Sequence, residues 1–337
     1  MRDFIFLLVL PFIAEGRDFA LQLTDETQTP LAAIPARITL SRKDDPRYSS
    51  QQTIDQATAP DGALRFKADE AMVLSRIQIN PDGFYSIDAN PSRDPLEVAG
   101  GDAWSITLPR IIAPIPLRVK RVGLNLAEKT LLADVWLGYD FALGTALPPY
   151  GHGLIADIEF RLTPQQVGWN ESPASLSEKR LDPYFADFSA DKFARHFGHW
   201  TSQLRVRFPE KHSGMVRTQS FWAHCALKMP HQAPPSGYQS EFVFTVDSQA
   251  RTVEGSANIG YFIRSRTLAE PSGKIISAYY AKIMGPIEFS HTGLTFIYYS
   301  NPTANDMNLE YDIERNLLKA PSGSSALEEE SYKIRKP

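Results

Sequence analysis

The chain has 337 residues, room for two ordinary domains. Hydrophobic residues make up 43% and charged residues 22%, a globular mix that excludes a disordered chain. A formal net charge of -4 leaves no electrostatic footprint for nucleic acid.

The first stretch reads as a leader. Arg2 precedes an apolar run over residues 4–13, and Ala14-Glu15-Gly16 puts small residues where a signal peptidase reads them. As a helix the run extends roughly 15 Å, about half a bilayer core. Residues 1–16 are therefore expected to be a signal peptide, and the mature chain to be exported without a membrane span. The single cysteine, Cys225, rules out an internal disulfide, so hydrophobic cores must hold the domains. Phe221, Trp222 and Leu227 around it predict a buried, inert thiol.

Residues 18–24 (DFALQLT) alternate through Phe19, Leu21 and Leu23, and residues 30–41 through Ile34, Ala36, Ile38 and Leu40. That period belongs to strands with one buried face. Residues 42–60 are polar and aperiodic, and predict an exposed loop. Short strands follow at residues 63–66, 73–79 and 84–87, separated by Pro60-Asp61-Gly62 and Pro81-Asp82-Gly83 turns. Residues 17–112 thus predict a small β-sandwich. The run Pro30-Leu31-Ala32, Pro35-Ala36, Asp61-Gly62 and Leu64-Arg65-Phe66 resembles a carboxypeptidase regulatory-like, or transthyretin-like, domain. The resemblance implies a β-sandwich at the front of an exported bacterial protein and supplies no catalytic residue.

Pro109, Pro114 and Pro116 argue for an extended connector or an edge segment, with the connector assigned to residues 113–130, because each proline removes a ladder donor. Residues 122–132 read as either a short helix or a loop. Residues 131–318 predict a larger β-rich domain, with strands at 155–162, 203–208, 241–247, 260–266 and 274–283. One short helix is expected, Ala190 to Phe197, capped by Ser189. Residues 285–317 read as a closing strand pair, Phe296 to Tyr299 and Leu309 to Ile313, split by an Asn301-Pro302 turn. Residues 319–337 lack apolar content and predict a disordered tail. The expected fold is all-β: two β-sandwich-like domains, the second larger with one short helix. Gly138-Tyr139-Asp140, residues 149–153 with Asp157, residues 275–283 and residues 298–312 are together similar to a group of exported bacterial proteins that pair such domains; the likeness implies architecture and compartment.

No dinucleotide, P-loop, nucleophile-elbow, zinc-protease or thiol-redox motif occurs, and no cofactor is expected. Three constellations remain. Tyr139, Asp140, Tyr150, His152 and Asp157 place aromatics and acids around a glycine-flanked loop, a candidate carbohydrate-facing surface. Its bland alternative is a structural loop set by Gly151 and Gly153. Glu310 and Asp312, with Asp306, form an acidic group. By alternation Glu310 and Asp312 share one strand face, as a carboxylate pair for glycoside hydrolysis or as a solvent face. His196 and His199 stand at i, i+3, weak zinc candidates if the helix reaches both, with His224 or an acid to complete a site. Asn170-Glu171-Ser172 fits a glycosylation acceptor. The expectation is an exported, non-enzymatic binding or scaffolding protein, periplasmic, cell-surface or extracellular, facing a glycan or envelope component. The alternative is a carbohydrate-active hydrolase using Glu310 with Asp312, or Asp140 with Asp157.

Overall fold

Strand makes up 48% of the described residues and helix 8%, so the protein is all-β, built of sandwich-like sheets. The computed structural model describes residues 17–43, 50–69, 71–90, 98–100, 103–126, 136–185, 187–249 and 258–337. The leader-like residues 1–16 lie outside these, as do 127–135, most of the stretch read as helix or loop. The chain divides into two units. One is Met1–Ile112 with His224–Leu227; the other is Ala113–Ala223 with Lys228–Pro337.

The smaller unit holds β1 (Arg17–Thr24), β2 (Pro35–Arg42), β3 (Gln51–Ala57), β4 (Ala63–Ala68), β5 (Met72–Ile79), β6 (Ile87–Ala89), β7 (Val98–Gly100) and β8 (Ala103–Thr107). They form two four-stranded sheets, β4-β1-β8-β7 and β3-β2-β5-β6. Phe19, Leu21 and Leu23 of β1 and Ala36, Ile38 and Leu40 of β2 are buried, which is the alternation read from the sequence. Asp25 shapes the turn after β1 by accepting from the Thr27 and Thr29 amides. The expected loop over residues 42–60 instead contains β3. This edge strand is almost wholly exposed, so neither face is apolar and no period marks it. His224–Leu227 joins this unit from far along the chain: the Asp88 amide donates to His224 O, and the Ala226 amide to Ser86 O.

The larger unit holds β9 (Ile115–Asn125), β10 (Leu137–Asp140), β11 (Thr145–Ala146), β12 (Ile158–Trp169), β13 (Gly198–Arg207), β14 (Gly214–Arg217), β15 (Glu241–Asp247), β16 (Gly260–Ala269), β17 (Ile275–Met284), β18 (Glu288–Phe289), β19 (Gly293–Ser300) and β20 (Tyr311–Asn316). Its helices are α1 (Pro173–Leu181), α2 (Ala190–Phe197) and α3 (Ala326–Glu330). A five-stranded sheet, β11-β10-β12-β13-β15, faces a seven-stranded one, β14-β16-β17-β19-β9-β20 with β18 on β19. Tyr139, Phe160 and Leu204 of the first pack with Ile263, Ile283 and Phe296 of the second. The far face of the larger sheet is also covered: Phe262 and Tyr280 lie under Met229 and Leu309, and Tyr299 and Tyr311 under Ile334.

Four sequence expectations change here. The helix over Ala190–Phe197 stands as read, with Ser189 Oγ accepting from the Lys192 amide, but α1 and α3 join it. Ser172 at the cap of α1, followed by Pro173, was the overlooked start signal. The Pro-rich segment is not merely a connector, because Ile115–Asn125 is a strand with neighbours on both sides. Pro116 is tolerated because the β19 ladder ends at the Ser300–Arg118 pair, one rung short of it. The closing strands do not pair with each other: β19 lies antiparallel to one edge of β9 and β20 parallel to the other. Finally, the tail is ordered. Ile334 is buried against Tyr299 and Tyr311, and Tyr299 Oη donates to Lys336 O.

Candidate functional site

Asp140 ends β10 and Asp157 precedes β12, and both side chains turn into the protein, 1% and 2% exposed. One oxygen of Asp140 accepts from the Ala142 and Leu143 amides and from Arg266 Nη2, and the other from the Leu154 and Ile155 amides. Asp157 accepts from the Phe141 amide at 2.8 Å, Ser265 Oγ at 2.6 Å and Arg266 Nε and Nη2 at 2.9 and 2.8 Å. Burial pushes the Asp140 carboxyl up, but the backbone donors and the Arg266 charge outweigh it and hold it below its usual value. Burial opposes the Arg266 charge too, and its bonds to Asp157 and Asp140 more than offset that. The two acids therefore staple the β10–β12 loop to β16. Sequence reading missed Ser265 and Arg266, and no local pattern marks them.

Glu310 and Asp312 do not share an exposed face. Leu309, Glu310 and Tyr311 are all buried, because β20 begins only at Tyr311 and the chain before it is irregular. Glu310 accepts from the Ala113 amide at 2.7 Å and lies 3.4 Å from His231 Nδ1. Asp312 is half-buried and pairs with Arg315. The Glu310 charge also acts on a residue that sequence reading passed over, Lys282 of β17. Its Nζ is wholly buried, has no hydrogen-bond partner among the described residues, and sits 4.8 Å from the centroid of the Tyr299 ring. Burial pushes the Lys282 amine down to about 7, against the pull of the Glu310 charge. One lysine within the otherwise apolar Ala278–Met284 run was the available signal.

The histidines separate for a local reason. α2 ends at Phe197 and Gly198 starts β13, so His199 leaves the helix. His196 packs among the Phe185, Phe188 and Phe197 rings, while His199 Nε2 lies 2.9 Å from Asp247. Among the described residues no group of three or more His, Cys, Asp or Glu is placed to hold a metal ion.

Two predicted residues do meet in one place. Tyr139 and Tyr150 line a cleft of about 700 Å³ in the larger unit. Its floor is Lys120 to Leu124 of β9, one wall is Gly144 to Ala146, and the other is formed by α3 and the residues after it up to Ile334. The Tyr139 ring packs edge-on against Phe296 and Tyr298, and burial pushes its hydroxyl pKa up. Tyr150 is half-buried; His152 is exposed and lies off the cleft wall. Gly151 is required by close approach: a Cβ there would meet Ala146 O at 2.2 Å. Lys120 Nζ donates to Gly144 O at 2.8 Å and lies 4.5 Å from the Tyr332 ring centroid, bracing both walls. No family model, curated protein or solved structure matches the chain. The cleft is a mixed apolar and polar recess lined by both Lys120 and Glu328.

Proposed function

We propose that this chain is an exported, non-enzymatic binding protein of the cell envelope or extracellular space, and that the cleft of the larger unit holds its ligand. The observation that carries the reading is where the acids have gone. Asp140, Asp157 and Glu310 are buried and engaged by backbone amides, Arg266 and His231, and none of them lines the cleft. A glycosidase needs two carboxyls about 5–10 Å apart flanking an open site. The cleft offers Glu328 and Glu330 instead, two apart on one short helix, a spacing that sends side chains in different directions. The leader-like residues 1–16 and the likeness of the front domain to exported sandwiches support the compartment.

The test is equilibrium binding of the chain lacking residues 1–16 to glycan and peptide panels, with Tyr150→Ala as the cleft variant. Tyr150→Ala is expected to weaken the ligand found at least tenfold while the chain stays folded, with a lower unfolding midpoint because the ring packs against the core. Turnover of a polysaccharide that Glu310→Gln abolishes would instead establish the hydrolase alternative.

A further inference from the structure

The cleft floor is unusual in being five consecutive residues of one strand, Lys120 to Leu124. Side chains of a strand alternate between faces, so five in a row means that the edge of β9 faces the cavity. In an antiparallel pair, successive residues turn their peptide groups alternately toward and away from the partner strand. The odd-numbered residues of β9 turn away from β19. Leu117 O accepts from the Leu317 amide, and the Val119 N–H and C=O are both met by the side-chain amide of Asn316, at 3.0 and 2.8 Å. The Arg121 amide donates to Ser331 O at 2.8 Å. The ladder thus continues past the end of β20 only through substitutes: a side-chain amide, then one carbonyl of the C-terminal segment.

At the next odd position the substitutes run out. The Gly123 peptide group has no partner on this edge among the described residues, and a Cβ built on it would meet nothing within 4 Å. An uncovered strand edge is a template for another strand. Leu124, Tyr150 and Leu327 supply apolar wall on the cleft, and the volume is in the range of sites that enclose a ligand, about 300–1,000 Å³.

We infer that the cleft takes an extended polypeptide segment of a partner protein, which adds as a strand along β9 from Gly123 and seats an apolar side chain against Tyr150. This rests on the binding-protein reading and narrows it to a ligand class. The chain's own chemistry argues for a peptide over a sugar, because the neighbouring rungs of this edge are already filled by amide and carbonyl groups. Tyr139, the other ring at the site, is enclosed by Phe296 and Tyr298 and offers little face for a sugar to stack on.

The probe is a random twelve-residue peptide library selected on the full mature chain, with amide hydrogen exchange read by NMR. In the free chain the Gly123 amide is expected to exchange quickly. Bound peptide is expected to slow it at least tenfold, and N-methylation at alternate peptide positions to weaken binding at least tenfold while intervening positions tolerate it. Failure to select any peptide, or peptides that bind without protecting Gly123, overturns the inference. A glycan whose binding Tyr150→Ala abolishes, with Gly123 exchange unchanged, overturns strand addition and leaves the binding-protein reading standing. A chain on which Tyr150→Ala alters no ligand of either class loses both.

Discussion

Lys282 shows how one buried group sets a pH dependence. Its amine titrates near 7 in the folded chain and at 10.5 when exposed. Below about pH 7 it is protonated in both states. Between there and 10.5 only the unfolded chain holds the proton, so raising the pH through this window stabilises the fold. At pH 7 almost the whole penalty of burying the amine is present; at pH 9.5 most of it is gone. Lys282→Met removes the penalty at every pH, and the attraction of Glu310 is already counted in the depressed value. The variant should be more stable than the parent at pH 7, and the gap should shrink by on the order of 2–3 kcal/mol at pH 9.5. Urea unfolding of both proteins at the two pH values measures it; a gap independent of pH would show that Lys282 reaches water. Arg266 is the opposite case, since its charge is needed by two buried carboxylates and its loss would strand them.

At the scale of elements, the C-terminal segment carries a cleft wall, and its one buried aliphatic side chain is Ile334. Ile334 packs against Tyr299 and Tyr311, and Ser331 O holds the Arg121 amide. Ile334→Ala should cost about 2 kcal/mol, the low end for a buried isoleucine because the site lies at the surface. Exchange of the Arg121 amide should rise with it. A variant with unchanged unfolding and exchange would mean the tail does not pack. This segment also marks where sequence reading fails. One isoleucine among polar residues shows no period, and the tyrosines that bury it lie in other strands. β3 was hidden in the same way, polar on both faces. By contrast β1, β2 and β5 were legible because each alternates against a core, β17 because its apolar run is buried on both faces, and α2 because Ser189 caps it. The site was half legible. Tyr139 reaches the cleft from β10 and Tyr150 from the loop after β11, which Gly151 and Gly153 announce. Asp140 and Asp157 were misread because their partner, Arg266, lies 126 and 109 residues away, a separation no local pattern encodes.

For the whole molecule, the placement of Cys225 joins chain order to unit membership in a way that can be measured. The cysteine follows α2 and β14 of the larger unit, yet it is buried in the smaller one, bridged to Ile87 at the edge of β6. Its thiol is therefore a reporter for the unit it packs in rather than the chain around it. Ile38 in β2 is fully buried in the smaller unit, and Leu204 in β13 is fully buried in the larger. Truncating either to alanine leaves a cavity and destabilises its own unit by about 2–5 kcal/mol. Thiol labelling across a urea series should then move to lower urea in Ile38→Ala, although Ile38 is far away in sequence. In Leu204→Ala, which is much nearer in sequence, it should stay close to the parent. The reverse order would assign residues 224–227 to the larger unit. Equal shifts in both variants would mean that the two cores melt as one cooperative system, and the division of the chain into two units would not survive.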